Sequence, residues 1–298
     1  MAFTRTNVNY AAEYSRAIAE AYPYLSYFGE IWASANSALY RPGLGKTMYI
    51  PNISVKGAHA ADRDTMNGQF ARNWNNELQA VTLDMDREWD TLVDPMDMEE
   101  TNDVAVLANI TREFNQFQKI PEMDAYLAAK LYSFVTPKTT ALTAANILEQ
   151  WDNYLAEMTD ARVPRDRLHA YLTPAVYKLL KQASGISRFV DVGGSENGVN
   201  RNVARLDGVG ITEVPSDIMQ SSFTFTEGWA KASGAKAVNM ILVDPLAVAA
   251  PVKYETSMVS APAAHTKGKY LYYERYYYGA FALNQRKTGI LVNAAAGT

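Results

Sequence analysis

The segment LQAVTLDMDREWDTLV, from Leu78 to Val93, has the most regular alternating pattern in the sequence. Successive side chains of an extended chain point to opposite faces, so every second residue shares a face. The apolar face carries Val81, Leu83, Met85 and Trp89, interrupted by Arg87, and the other face carries Asp84, Asp86, Glu88 and Asp90. The pattern predicts one long strand with an apolar side and an acidic side.

A second extended run lies upstream, in TMYIPNISV from Thr47 to Val55. Between the two runs, AADRDTMNGQFARN has no regular pattern and contains turn-forming Gly, Asn and Asp. Two runs joined by such a tip predict a long hairpin with little core of its own. An isolated two-stranded hairpin is only marginally stable in water, so this one must lie on another surface.

The segment YLYYERYYYGAFAL, from Tyr270 to Leu283, carries tyrosine on both faces of a predicted strand. A tyrosine ring packs against apolar neighbours, while its hydroxyl needs water or a hydrogen-bond partner. Two interpretations remain open from the residues alone. The segment is either an aromatic-rich core strand or part of a layer that contacts another molecule.

The composition is that of a folded globular protein, with 48% hydrophobic and 20% charged residues among 298. A formal net charge of −4 argues against a basic surface that neutralises nucleic-acid phosphates. Cysteine is absent, which excludes disulfides, thiolate zinc sites and cysteine nucleophiles. No apolar run reaches the length of a signal-peptide core or a membrane helix, so synthesis and folding in the cytoplasm are expected.

Helical periodicity dominates the middle of the chain. A first helix has an apolar stripe from Val104 to Phe117, a second begins at Pro121, and a third has Thr143 as its cap. From Leu168 onward the periodicity becomes that of short strands.

Two local signals refine this C-terminal half. Thr173 and Pro174 have the types expected for the cap and first residue of a helix. Asp207 and Gly208 suit a tight hairpin turn between VNRNVARL and VGITEV.

The sequence contains no complete motif for catalysis or cofactor binding. Gly45, Lys46 and Thr47 match the end of a phosphate-binding loop, but Tyr40 stands where its first glycine would be. The preceding segment also has a helical pattern instead of that of a buried strand. This segment is better explained as a turn that leads into the hairpin.

A metal site has little support either. The three histidines, His59, His169 and His265, are scattered without ligand spacing. The carboxylates between Asp84 and Glu100 could bind calcium, but they lack the glycine and register of a calcium loop. The alternative is a contact between subunits, for which the basic stretch ARVPRDR at residues 161–167 is one candidate partner.

The order of these features resembles the major capsid proteins of tailed bacteriophages, which share the Johnson fold with encapsulin shells and the herpesvirus capsid floor. The resemblance covers nearly the whole chain and is carried by an ordered set of segments, none of them diagnostic alone. These are VTLDMDREWDTLVDP, TREFNQFQKIPEMDAYLAAKLYSF, LHAYLTPAVYKLL, ARLDGVGITEVPSDIM, VDPLAVAAPVKYETSMV and YYYGAFALNQRKTGILVN. Such an analogy implies a fold and leaves function to be argued from the surfaces.

The resemblance implies four parts of an α+β Johnson fold. They are an N-terminal arm at residues 1–39, an extended β-hairpin loop at 40–92, a peripheral domain with a long helix at 93–162 and 252–298, and an axial α/β domain at 163–251. The hairpin would lie over a neighbouring subunit. The pattern NYAAEYSRAIAE, from Asn9 to Glu20, predicts a short amphipathic helix that begins within ten residues of Met1, so a separate scaffolding protein is expected.

The implied function is structural, with no enzyme activity, no cofactor and no metal. Copies would self-assemble into pentamers and hexamers and then into the icosahedral head of a virion. The head would be assembled in the bacterial cytoplasm with a portal, without a membrane, and would enclose double-stranded DNA without sequence-specific binding. The candidates for contacts between subunits are Asp62, Arg63, Asp64, Arg72, Asp84, Asp86, Glu88, Asp90, Tyr272, Arg275, Tyr276 and Tyr278.

Three alternatives stay open. An encapsulin-like compartment would use the same fold, whereas a nucleotide- or metal-dependent enzyme would use the GKT turn or the acidic cluster. Some relatives also join subunits through a Lys–Asn isopeptide bond. Lys46, Lys56 and Asn284 have the right residue types for it, but no flanking motif matches, so the bond is not expected here.

Overall fold

The computed structural model describes residues 24–39, 47–58, 72–100, 107–183 and 203–296. The predicted hairpin is present: strand β1 (Thr47–Val55) pairs antiparallel with strand β2 (Trp74–Thr82). The predicted single strand over residues 78–93 is wrong, because the chain leaves the hairpin after β2 and starts a separate strand, β3 (Met85–Val93).

The break between β2 and β3 has a local cause. Leu83 is buried against Gly279, where an added Cβ would lie 2.7 Å from Leu83 Cδ2 and 3.0 Å from Leu83 Cα. The next residue, Asp84, accepts a hydrogen bond from the hydroxyl of Tyr126. Together these contacts fix the chain where it passes from the hairpin into the body.

Strand β3 belongs to a three-stranded antiparallel sheet in the order β11 (Val252–Ser260), β12 (Tyr270–Tyr278), β3. The tyrosine-rich segment is therefore the central strand of this sheet. One face of the sheet packs on a long helix, and the other face exposes Arg275 but buries Tyr277 at the end of β12. The core interpretation therefore holds for the first face and for the end of the second.

The long helix consists of α4 (Leu107–Phe114), a π-helical stretch (Asn115–Lys119) and α5 (Ile120–Phe134) without interruption. The prediction of a new helix at Pro121 is therefore wrong. Proline inside a helix lacks an N–H and its ring clashes with the carbonyl four residues earlier. The π-helical stretch widens the backbone directly before Pro121, which lets the helix continue.

A second, five-stranded sheet has the strand order β14, β9, β4, β6, β5 and forms a separate layer of the fold. In this sheet β4 and β6 pair in parallel, and the other described pairings are antiparallel. Helices α6 and α7 cover one side with a core that includes Trp151, Leu172 and Leu180. The element bounds are α6 Ile147–Asp160, β4 His169–Leu172, α7 Pro174–Gln182, β5 Arg205–Leu206, β6 Val209–Glu213, β9 Val238–Val243 and β14 Ile290–Ala294.

Two of the local signals in this layer are confirmed. Thr173 is the N-cap of α7 and Pro174 is its first residue. Asp207 and Gly208 have φ angles of 52° and 86°, the left-handed values that a tight hairpin turn between β5 and β6 requires. The prediction of Thr143 as the cap of α6 is wrong, because the N-cap is Asn146. The Thr143 hydroxyl instead accepts from the Asn146 N–H at 3.3 Å, one turn before the helix starts.

Short elements complete the described fold, which confirms the α+β class. In that part of the chain no helix is long and apolar enough to cross a membrane. The remaining elements are α1 (Gly29–Trp32), α2 (Ala35–Leu39), α3 (Pro95–Glu100), the pair β7 (Phe223–Thr224) and β8 (Ala230–Lys231), and the pair β10 (Val248–Ala249) and β13 (Phe281–Ala282).

Candidate assembly surfaces

One face of the β1–β2 hairpin is anchored on the body. Ile50 is buried with Ala249 and Phe281 in a small apolar cluster. Gln79 extends this anchor, because its Nε2 donates to the Ala282 carbonyl at 2.9 Å and its Oε1 accepts from the Asn284 N–H at 3.2 Å. The base of the hairpin is therefore fixed by packing and by hydrogen bonds between the Gln79 side chain and the main chain of the body.

The opposite face of the hairpin is apolar and open. Odd-numbered residues of β1 and even-numbered residues of β2 share this face, as their pairing shows. Its large side chains are Tyr49, Ile53, Val55, Trp74 and Leu78, which are 64%, 59%, 76%, 51% and 58% exposed. A contiguous apolar patch of this kind is typical of a surface that another molecule covers.

The open face of the three-stranded sheet is acidic, as the alternation of β3 predicts. Asp86, Glu88 and Asp90 are exposed on it. Two of them meet β12, where Arg275 binds Asp86 through Nε at 3.0 Å and Nη2 at 2.7 Å, and the Tyr273 hydroxyl lies 3.4 Å from Glu88 Oε2. Arg275 remains 46% exposed at its side chain, so this surface can meet a partner through charges of both signs.

The inner face of the sheet buries tyrosines that were candidates for contacts between subunits. Tyr276 and Tyr278 are buried and stack with ring centroids 5.9 Å apart. Burial raises the pKa of both hydroxyls above their ordinary value. Since both side chains pack inside the subunit, they support the sheet and offer no surface to a neighbour.

Charged pairs join the inner face to the long helix. Arg87, the one charged residue on the apolar parity of β3, binds Glu122 of α5 and also donates to the carbonyls of Phe225 and Gly228. Burial raises the pKa of the Glu122 carboxyl, and this effect outweighs the lowering by Arg87. The pair therefore ties the sheet, the helix and the β7–β8 connection together.

A second pair lies beside the first. Lys119 binds Glu274, whose other carboxylate oxygen accepts from the Tyr272 hydroxyl at 2.9 Å. Lys119 also lies over the ring of Tyr276, 4.6 Å from its centroid. Sequence reasoning missed these partners; the only available signals were charged residues on otherwise apolar or aromatic faces.

The other contact candidates fall in different places. Asp84 is exposed at the β2–β3 junction and binds Tyr126 and Lys130. Arg72 lies at the end of the hairpin, where its Nε donates to the Trp74 carbonyl at 2.9 Å and its guanidinium lies 3.8 Å from the Trp74 ring centroid. Asp62, Arg63, Asp64, Lys46 and Gly45 lie outside the described residues.

His169 lies next to a cavity of about 400 Å³ at the start of β4 and β6. Its Nδ1 is 3.1 Å from Glu30 Oε2 and its Nε2 is 2.7 Å from the Thr212 hydroxyl. Burial lowers the pKa of the imidazole. The charge of Glu30 opposes this shift and the charge of Arg205 adds to it. Within the described ranges no group of three or more His, Asp or Glu side chains could hold a metal ion.

Comparison with known proteins relates this architecture to other structures. No protein-family model and no curated protein sequence matches the chain. Among solved structures, the capsid of Cyanophage P-SCSP1u matches with a TM-score of 0.72 and 13% identity, over 100% of this chain and 94% of that chain. The chain has the Johnson fold of phage capsid proteins.

Other phage structures share the Johnson fold with this chain. The mature capsid of bacteriophage PhiM1 has a TM-score of 0.68 and 12% identity, over 100% of this chain and 92% of that chain. A structure from Mycobacterium phage Che8 has a TM-score of 0.64 and 17% identity, over 97% and 98%. The resemblance predicted from the order of the segments is confirmed at the level of the fold.

Proposed function

We propose that this chain is the major capsid protein of a tailed bacteriophage. Copies form pentamers and hexamers, and these close into an icosahedral head around double-stranded DNA. The observation that carries this proposal is the open apolar face of the hairpin, with Trp74 and Leu78 more than half exposed, on a chain with the fold of phage capsid proteins.

An apolar face that stays in water costs free energy. Apolar surface left in water forgoes about 25 cal/mol for each Å² that burial would remove. The described contacts between the hairpin and the rest of the chain, at Ile50, Gln79 and the Ile53 carbonyl, leave the apolar face uncovered. A neighbouring copy can cover the face, whereas folding alone leaves it exposed.

The open face of the sheet supplies selectivity. Asp86, Glu88, Asp90 and Arg275 form an exposed charged surface, and such surfaces fix register and partner choice more than they add affinity. We retain these four residues, with Arg72, Asp84 and Tyr272, as candidates for contacts between subunits. Asp62, Arg63 and Asp64 stay in the proposal on sequence grounds alone.

The remaining features agree with a container. A net charge of −4 suits a shell that encloses DNA without holding it tightly. A non-enzymatic role agrees with the absence of a nucleotide or catalytic motif in the sequence. A separate scaffolding protein and a portal are proposed partners, on the strength of the resemblance.

Expression of the chain with and without a candidate scaffolding protein tests the proposal. Sedimentation velocity and electron microscopy should find closed icosahedral particles, and particles recovered from infected cells should contain double-stranded DNA. A monomer that is stabilised by ATP with magnesium, or by calcium, in a thermal-shift assay would contradict it. Particles that carry an enzyme and no genome would contradict the assignment to a phage. They would still support self-assembly into a shell.

A further inference from the structure

The turn that follows helix α6, at residues 161–167, exposes a small basic surface. Arg162 and Arg165 are exposed on it. Arg167 is already bound, since its Nη2 lies 2.9 Å from Asp244 Oδ2. The positive charge that this turn offers to a partner therefore lies on Arg162 and Arg165, which together form the basic corner.

The subunit itself makes little use of the basic corner. Among the described residues, the Arg162 side chain has no ion pair or hydrogen bond. Arg165 has one hydrogen bond, from Nη2 to the Thr159 hydroxyl at 3.4 Å. Two like charges so close along the chain repel each other, and an acidic partner would relieve this repulsion.

Arg162 also stands where a helix usually ends in glycine. Its φ angle is 61°, in the left-handed region. Its N–H donates to the Thr159 carbonyl at 2.9 Å and the Val163 N–H donates to the Met158 carbonyl at 3.0 Å, the two bonds of a Schellman motif. A residue with a Cβ is destabilised in this conformation. The helix dipole favours a cation at this end, but Arg165 already supplies one.

The acidic face of the three-stranded sheet complements the basic corner. Asp86 is engaged by Arg275, and Glu88 has a 3.4 Å contact with the Tyr273 hydroxyl. Asp90 is exposed and has no ion pair or hydrogen bond with any residue that the structure describes. Residues two apart on a strand lie about 7 Å from each other on the same face. Glu88 and Asp90 are therefore neighbouring carboxylates with charge left to pair.

These two surfaces do not meet within one subunit. Helix α6 covers the five-stranded sheet, whereas Glu88 and Asp90 lie on the three-stranded sheet. In the part of the chain that the structure describes, no ion pair or hydrogen bond joins them. Every copy carries both surfaces, so each copy can present its basic corner to the acidic face of the next. Contacts of this head-to-tail kind close into rings.

The charge pattern favours a protein partner over nucleic acid. Asp160 and Asp166 are exposed on either side of the arginines in the sequence. A nucleic-acid backbone is uniformly negative, so these two acids would repel it. The acidic face also carries Arg275, which is 46% exposed at its side chain. A partner with charges of both signs therefore matches this turn better than a phosphate backbone does.

We propose that Arg162 and Arg165 of one copy bind Glu88 and Asp90 of a second copy. This inference rests on the proposed function, because it names what the charged face of the sheet meets when copies assemble. The contact sets register and partner choice more than it adds affinity. The unfavourable backbone at Arg162 is then retained for assembly and not for the fold of the subunit.

The variant Arg162→Gly separates folding from assembly. Glycine adopts the left-handed backbone freely, so the urea midpoint of unassembled subunits should stay or rise. The rate of particle formation at low salt, followed by light scattering, should fall at least fivefold, because such charges act mainly on association. Arg162→Lys keeps the charge and should assemble within twofold of the parent chain.

Two results with Arg162→Gly would overturn the contact. One is a rate of particle formation equal to that of the parent chain. The other is a lower urea midpoint, which would show that the subunit itself uses the arginine.

Charge reversal tests the pairing itself. Arg162→Glu/Arg165→Glu and Glu88→Arg/Asp90→Arg should each lower the yield of particles at least tenfold, because each places like charges opposite each other. The quadruple variant restores opposite charges and should recover the yield to within threefold of the parent chain. Urea midpoints equal to that of the parent chain show that the subunits are folded.

Lys231→Glu/Lys236→Glu is the matched control, since both lysines are exposed and the net charge changes by the same amount. It should assemble normally. If the quadruple variant does not recover, the pairing is wrong, while particles of the parent chain still support the proposed function. Normal shells of Arg162→Glu/Arg165→Glu that contain less DNA would overturn the pairing by placing the arginines against nucleic acid. If the parent chain forms no particles, the proposed function fails and this contact with it.

Discussion

Arg87 and Glu122 form a bidentate ion pair, with Nε 2.8 Å from Oε1 and Nη2 2.8 Å from Oε2. The pair joins β3 to the long helix, and both side chains are largely buried, at 19% and 4% exposure. Two charges placed there lose hydration, which their mutual contact and further hydrogen bonds must offset. Arg87 also donates hydrogen bonds to the carbonyls of Phe225 and Gly228, and Glu122 also accepts one from the Tyr278 hydroxyl.

Removing one member of this pair should lower the free energy of unfolding. Arg87→Met leaves Glu122 buried without its partner, so we expect a loss of about 3–5 kcal/mol in the free energy of unfolding. Urea denaturation of unassembled subunits measures it.

The matched control is the double variant Arg87→Met/Glu122→Leu. It removes both charges together, so it should recover most of the lost stability. A single variant as stable as the parent chain would show that the pair does not hold the sheet on the helix.

The open face of the hairpin should matter for assembly and not for folding. Leu78→Ser changes a side chain that is 58% exposed, so the free energy of unfolding should change by no more than about 0.5 kcal/mol. Particle formation, measured by sedimentation, should fall sharply because the covered apolar face is weakened. Met96→Ser, at an exposed site outside the hairpin, is the control and should assemble normally.

Gly279 should tolerate no side chain. A Cβ there would lie 2.7 Å from Leu83 Cδ2 and 3.0 Å from Leu83 Cα, so Gly279→Ala must displace the junction between the hairpin and β3. We expect a loss of about 1–3 kcal/mol on thermal or urea unfolding. Gly57→Ala has nothing within 4 Å and should be near neutral, and equal behaviour of the two variants would contradict the packing at Leu83.

Acid should weaken the subunit through His169. Burial holds the pKa of the folded imidazole below its ordinary value, so the unfolded chain takes up a proton first as the pH falls. Stability should therefore decrease as the pH drops from about 7.5 through about 6.5 and level off below the folded pKa. The groups that face the ring are Glu30 of α1, Arg205 of β5 and Thr212 of β6.

The variant His169→Gln isolates this effect, because it has no imidazole to titrate. Urea midpoints measured across this range should fall more steeply for the parent chain than for the variant. Parallel curves would show that His169 is not the group responsible.

The sequence predicts the parts of this fold that depend on local periodicity and turn chemistry. The hairpin, the Asp207–Gly208 turn and the capped helix at Thr173 follow from alternation and from residue types with special backbone preferences. The error over residues 78–93 comes from a contact between distant residues, whereas the error at Pro121 comes from a local change in helix geometry. Gly279 and Leu83 divide the predicted long strand, and a π-helical stretch carries the helix through Pro121.

The candidate surfaces were predictable to a similar extent. The acidic side of β3 is exposed, as alternation predicts. Tyr276 and Tyr278 are buried, although β12 carries tyrosine on both faces and its composition does not show which face is covered. Which face of β12 is covered depends on the long helix, which comes after β3 and the short helix α3 and precedes β12 by more than a hundred residues. Arg87 among apolar neighbours was a visible anomaly, but its partner Glu122 lies on that helix and has no signal of its own.

Electron cryomicroscopy of assembled particles tests the central claim most directly. We expect a closed shell in which Tyr49, Trp74 and Leu78 of each hairpin are covered by another copy of the chain. A compact monomer at high protein concentration, or particles in which this face remains open to solvent, would contradict it.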